Sequence, residues 1–233
     1  MVSARRQRYA WRMKLHSYFR SSAAYRVRIA LHLLDLPFDY VPVHLLRGEQ
    51  REPGYVARTG DALVPALELD DGTLLAQSMA IIEYLQDTHP GAALLPADAL
   101  GRAQVRALSQ MIACDIHPLN NLRVLKYLVG PLGVSDDAKA EWYCHWAGSG
   151  LDAVERRLGL LADERRAADL PESIYCWADK PGLADCCLVP QVFNARRFGL
   201  TLDAQPRIAA IVERCEALPA FALAHPDACP DCQ

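Results

Sequence analysis

Between residues 13 and 95 short alternating runs are interleaved with helical spacings, and from Leu100 onward the apolar positions recur at helical spacing throughout. Met13 to Tyr18 alternates as a strand. Ala23 to Leu34 places Val27, Ala30, Leu31 and Leu34 on one helical face, with Arg26 and Arg28 off it, and Asp35-Leu36-Pro37 ends that helix. Tyr40 to Leu45 alternates as a second strand. Val64 to Leu69 and Thr73 to Ala76 bracket Asp70-Asp71-Gly72, the turn of a hairpin. Ser78 then caps a helix over Met79 to Thr88, which His89-Pro90-Gly91 breaks. This order predicts a small α/β sheet with helices on its faces, followed by an all-α part.

In that second part, amphipathic stretches run over 101–128, 137–164, 184–198 and 205–218, separated by Gly130-Pro131, Asp169-Leu170-Pro171 and Pro181-Gly182. The stretch 101–128 carries Val105, Leu108, Met111, Ile112, Ile116, Leu119 and Leu122 around much of its circumference, more than one core-facing stripe needs. The excess would line a site, sink into a central helix or meet a second copy in a two-fold homodimer.

Composition narrows the function classes. The 233 residues are 52% hydrophobic and 23% charged, an ordinary globular balance with room for two cores. A net charge of -3 gives no reason to expect nucleic acid or an anionic membrane, and no run approaches the roughly 20 apolar residues of a membrane span. A small anionic substrate would therefore need local arginines. Residues 1–12 hold Arg5, Arg6, Arg8 and Arg12 and no acid; they read as a disordered or non-native extension ahead of Met13, in preference to an organellar presequence. The 8 cysteines fall at irregular spacings, Cys114, Cys144, Cys176, Cys186, Cys187 and Cys215 inside apolar stretches, as reduced core thiols of a cytoplasmic protein do. Cys229-Pro230-Asp231-Cys232 lacks a second ligand pair and reads as a frayed tail in preference to a metal or redox site.

Three short segments can carry chemistry. Arg20-Ser21-Ser22 stands between the first strand and the first helix, where free N–H groups favour an anion and a serine hydroxyl can donate to a thiolate; the alternative is a plain N-cap. Val64-Pro65 opens the third strand and can present the Val64 backbone to a ligand's peptide group, or is an ordinary edge-strand proline. Gln77-Ser78 is a second helix start after a strand. Two anion-accepting corners beside an open strand edge would suit a short peptide bearing carboxylates.

These segments, with Arg26-Val27-Arg28-Ile29-Ala30-Leu31, Ala80-Ile81-Ile82-Glu83-Tyr84-Leu85, Leu94-Leu95-Pro96 and Leu188-Val189-Pro190-Gln191, resemble the zeta-class glutathione transferases from Met13 to about Pro226. The resemblance implies a thioredoxin-like domain over 13–95, an all-helical substrate domain over 101–233, and glutathione as cofactor. It implies that Ser21 donates to the glutathione thiolate with Ser22 and the amides after it in support. Val64, beside Pro65, would pair with the cysteinyl backbone, Gln77 and Ser78 would hold the γ-glutamyl end, and Gln50 would add a further contact. In the helical domain it implicates His117, Asn121, Arg123 and Arg197. The implied activity is cis–trans isomerisation of a maleyl keto acid, maleylpyruvate or maleylacetoacetate, in aromatic or tyrosine catabolism. The glutathione thiolate would add to the double bond, with Arg20, Arg123 and Arg197 clamping the two carboxylates. His117 with Arg123 leans toward maleylpyruvate. A conjugating transferase or dehalogenase, and a non-catalytic interaction module, are the alternatives. The chain departs from the family at Ala23, where a cysteine is usual, at Thr59-Gly60 in place of Asn-Pro, and at Gly182 in place of Ser or Thr.

Overall fold

The computed structural model describes residues 13–89 and 91–232. The extension expected over 1–12, and Pro90 of the helix-breaking triplet, lie outside them.

Strand β1, Met13–Ser17, leads into helix α1, Ser22–Leu33, and strand β2, Phe38–Pro42. Helix α2, Pro53–Thr59, precedes strands β3, Ala66–Glu68, and β4, Leu74–Ala76, and helix α3, Ser78–Thr88, closes this part. The sheet order is β2-β1-β3-β4, with β1 parallel to β2 and the other pairs antiparallel. Leu15 stands opposite Tyr40 on one side and Leu67 on the other, and Leu15 and Leu67 are fully buried. Such a row points to one face of the sheet and needs cover there. Val27, Ile29 and Leu31 of α1 share one core with Leu15 and Leu67, and α1 also packs against α3.

The helical part comprises α4, Ala99–Gln110; α5, Leu122–Val129; α6, Asp136–Ala167; α7, Leu183–Arg197; α8, Pro206–Glu216; and α9, Pro219–Ala224. Helix α7 lies at the centre, packed against α1, α4, α6 and α8, and one hydrophobic core runs from Leu15 and Ile29 through Leu188 and Val192 to Ile208. Asp185 receives the Gly182 N–H at 2.8 Å and the Cys176 N–H at 3.0 Å, so the α7 start is capped from inside the helix. A Cβ on Gly182 would stand 2.7 Å from the Leu94 carbonyl oxygen, which explains why a side-chain cap is missing at that position. Gly60 ends α2 with φ of 73°, and its N–H donates to the Val56 carbonyl, so Thr59-Gly60 serves as a helix stop.

Several expectations need correction. The second strand is Phe38–Pro42, two residues earlier than the alternation suggested, and β3 and β4 are three residues each. The helix expected over 101–128 is broken: after α4 the chain forms a π-helical turn, Met111–Ile116, then a 3₁₀ turn, His117–Asn120, before α5. Pro118 has no N–H to continue an α-helical ladder, and Asn121 restarts it by accepting from the Arg123 N–H. Ser78 is not the N-cap of α3; Gln77 is, and no side chain caps it. Arg26 and Arg28, off the apolar face by spacing, are both buried, because α1 is enclosed by α3, α7 and α9. Cys114 is exposed and Cys144 half-buried, so neither is a core thiol. The tail is docked rather than frayed: Cys229 is buried against Tyr18, Phe19, Val43 and Val64. Among the described residues every cysteine is free, no metal-binding group of three is present, and no helix is long and apolar enough to cross a membrane.

Candidate active site

The chain leaves β1 through Tyr18 and Phe19 and reaches Arg20-Ser21 at the start of α1. This bend is held from both sides. The Arg28 guanidinium donates to the Phe19 carbonyl at 3.0 Å, to Ser17 Oγ at 3.1 Å and to the Ala224 carbonyl at 2.9 Å. From the tail, Asp231 accepts the Phe19 N–H at 3.2 Å and the Tyr40 hydroxyl at 2.6 Å.

Ser21 is the N-cap of α1, its Oγ accepting from the Ala24 N–H at 3.2 Å. Accepting there leaves the hydroxyl proton to be given elsewhere, so cap and donor are compatible roles for one side chain. Ser22 is buried, and its hydroxyl turns to helix α7.

The bend opens on a cavity of about 370 Å³ between the sheet edge and the helical part. Ser21, Ser22, Gln50 and Val64 line it from one side; His117, Asn121, Arg123 and Arg197 line it from the other, and Arg20 stands at the bend. Pro65, Gln77 and Ser78 are not in this lining. Pro65 is buried, joined to Val64 by a cis peptide bond, and exposed Gln77 follows Ala76, the partner of Ala66 across β3 and β4, so it belongs to the same sheet edge. Ser78 is buried and accepts from Arg26 Nη1 at 3.2 Å.

Two features of this wall suit a peptide-like thiol such as glutathione. The Gln50 side-chain oxygen is buried with no hydrogen-bond partner among the described residues. Val64 lies beyond the β1–β3 ladder, and its backbone is bonded to no other main-chain group among the described residues. A buried acceptor and an open peptide edge each need a partner that a ligand can bring.

The cavity as a whole is cationic. Arg20, Arg51, Arg123, Lys126 and Arg197 line the cavity against a single carboxylate, Asp61. Among the described residues Arg20, Arg123 and Arg197 form no salt bridge, and Arg197 donates only to Asn194. The Arg197 guanidinium is held below its usual value by burial and by facing Arg20. Asn121 spends its side-chain oxygen on the α5 cap, which leaves its NH₂ for a ligand. The floor is Tyr143 stacked on Phe198, ring centroids 3.7 Å apart. No cysteine lines the cavity, and burial pushes the Cys187 thiol up to about 11.

His117 is enclosed enough that desolvation, with the Arg26 and Arg123 guanidiniums, holds its imidazole down to about 3. It is neutral at neutral pH, an acceptor or donor rather than a cation. An unfolded chain would protonate it below about pH 6.5, so stability falls as pH drops from there toward 3. Glu68 is held at about 2 by donation from His16, Lys14 and Arg58, and it adds loss only below the ordinary carboxylate range. Between pH 7 and 5, His117→Gln is therefore expected to flatten the fall of Tm with acid, as read by scanning calorimetry; parallel curves for the two proteins would contradict this.

Tyr18, Asn120, Lys126, Tyr143 and Phe198 were not singled out by their pattern. Tyr143 sits on α6 and Phe198 just after α7, distant in sequence, and only Lys126, one turn after Arg123, carries a spacing signal.

A four-stranded mixed sheet with a serine-capped helix start at its edge, joined to a helical region that closes the cavity, is the architecture of the glutathione transferases. The family model described as "Glutathione S-transferase, N-terminal domain" matches residues 20–88. A maleylacetoacetate isomerase from Pseudomonas aeruginosa is 46% identical over 221 residues, covering 94% of this chain and 98% of that protein. The holo structure of a maleylpyruvate isomerase, described as a bacterial zeta-class glutathione S-transferase, is 43% identical with a TM-score of 0.86 over 94% of this chain and 100% of that one. A maleylacetoacetate isomerase from Anaeromyxobacter dehalogenans, with bound dicarboxyethyl glutathione and citrate in its active site, is 41% identical with a TM-score of 0.82, over 96% of this chain and 98% of that one. The chain belongs to the zeta-class glutathione transferase family of maleylacetoacetate and maleylpyruvate isomerases.

Proposed function

We propose that this chain is a glutathione-dependent cis–trans isomerase of a maleyl keto acid, maleylpyruvate or maleylacetoacetate. The observation that carries the assignment is the cavity's charge: five cationic side chains against one carboxylate, in a protein whose net charge is -3. A local positive field of this kind concentrates a small dianion and fixes its carboxylates, which a site for apolar electrophiles would not need. A relative of this family holds a glutathione bearing two added carboxyl groups in its active site, in keeping with such a substrate.

Val64 offers its backbone to a ligand peptide, Gln50 its unpaired oxygen to a donor, and Gln77 and Ser78 extend the same edge toward the γ-glutamyl end. Glutathione, when bound, supplies the thiol nucleophile for reversible addition to the double bond. Ser21 Oγ gives its proton to the sulfur, and the Ser22 and Ala23 amides at the α1 start, bonded to no main-chain group among the described residues, favour the anionic form. Ser22 supports this corner through its amide. Arg20, Arg123 and Arg197 take the carboxylates, stabilise charge on the keto oxygen and leave the carbon chain free to rotate. Because Ala23 stands where the family places a cysteine, no thiol of the chain competes.

Ultraviolet turnover of both keto acids with and without glutathione tests the assignment. Isomerisation of at least one, only with glutathione, is expected; turnover in thiol-free buffer, or of neither acid, overturns it. We further propose a cytoplasmic homodimer, with the division at 13–95 and 101–233 marking its domains. Met111 and Leu119 remain only partly covered by their own chain and do not line the cavity, in keeping with a second copy. Light scattering is expected to give twice 25.8 kDa, and a monomer at micromolar concentration would contradict it.

A further inference from the structure

We infer that Asn194 is a positioning residue for the isomerisation, locking the Arg197 guanidinium to the first turn of α1 and so fixing the cationic end of the cavity relative to Ser21. Asn194 and Arg197 are one turn apart on α7. Arg197 Nη1 donates to Asn194 Oδ1 at 2.9 Å, Asn194 Nδ2 donates to Ser22 Oγ, and Ser22 Oγ donates to the Pro190 carbonyl at 3.4 Å.

The direction of this chain has one solution. A guanidinium has donors only, so the amide atom facing it must be the oxygen. The NH₂ group then points at Ser22, whose hydroxyl must accept and pass its own proton to Pro190. Ser22 therefore has no hydroxyl proton left for a thiolate, and its side chain serves the relay between the two parts of the molecule. Asn194, Ser22 and Arg197 all reach the cavity, so the relay is part of its wall. Without it Arg197, exposed and free of carboxylates, would sample many rotamers at an entropic cost on each binding event.

The inference rests on the proposed function, with Arg197 a substrate contact, and the experiment separates the two. Steady-state kinetics are measured for Asn194→Ala, Asn194→Asp, Arg197→Ala and the Asn194→Ala/Arg197→Ala pair, alongside glutathione affinity and Tm. Asn194→Ala is expected to raise KM for the keto acid about tenfold, the scale of one lost hydrogen bond to a charged group, with glutathione affinity within about twofold. Asn194→Asp, near-isosteric, is expected to be worse, about 10²-fold in kcat/KM, because its carboxylate pairs with Arg197 and repels the dianion. The double variant is expected to be no worse than Arg197→Ala alone.

Normal kinetics in Arg197→Ala would overturn the functional role of that arginine. Impaired Arg197→Ala beside normal Asn194 variants would overturn only the positioning role. An aspartate variant milder than the alanine one, or loss of folding in both, would make Asn194 a structural residue and also overturn the inference.

Discussion

Replacing Ser21 by alanine is expected to lower glutathione-dependent turnover about 10²-fold or more, the loss that follows removal of one preorganised donor from a charge-stabilising site. The same change removes the α1 cap, which costs about 1 kcal/mol of stability. The two effects are separable because they sit on different atoms of one hydroxyl: the oxygen accepts from Ala24, the proton goes to the sulfur. Ser21→Gly tests this, since glycine caps a helix within a few tenths of a kcal/mol of serine and donates nothing. Its stability should stay near wild type while its turnover falls with the alanine variant. Turnover within about threefold of wild type in both variants would leave Ser21 a cap and nothing more.

Arg28→Leu is the second large expectation, this time on stability. Burial holds the Arg28 guanidinium below its usual value, and no carboxylate is among its hydrogen-bond partners. Three buried acceptors, on β1, at the bend and at the end of α9, depend on that one planar group. Leaving them unpaired is expected to cost about 3 kcal/mol or more, a Tm loss of roughly 6–12 °C for a chain of this length. Arg28→Lys should recover little, because a single ammonium cannot span the three directions. A Tm change under about 2 °C in Arg28→Leu, measured by calorimetry, would show that water or repacking satisfies those acceptors.

Local signals in the sequence described the helix starts and stops well. Asp70-Asp71-Gly72 is the turn it promised, with Gly72 at φ 85°, and α6 and α7 run within a few residues of their periodic stretches. Seven-residue α2 and three-residue strands are too short for periodicity to resolve, so no helix is predicted between Leu45 and Val64 and β3 is shorter than its alternation predicts. The buried arginines escaped because polarity patterns assign charge to solvent, whereas α1 has neighbours on every side. Of the expected site residues, the structure gathers Ser21, Ser22, Gln50, Val64, His117, Asn121, Arg123 and Arg197 around one cavity. Asn194 was visible only as the neighbour of Arg197. Its role depends on Ser22, 172 residues away, and nothing in local spacing encodes such a pairing.

The tail contact at Phe19 sets an order of events during biosynthesis. Asp231 is made 212 residues after the peptide it grips, and Ala224, which takes the Arg28 bond, comes 196 residues after its donor. A ribosome-bound chain can therefore assemble the sheet and the Arg28 bonds to Ser17 and Phe19 early, yet the bend bearing Arg20 and Ser21 lacks its Asp231 tie, and Arg28 its Ala224 anchor, until α9 and the following turn have emerged. A chimera that exchanges the sheet domain between relatives would therefore need to carry residues 224–232 with it to keep that bend in shape.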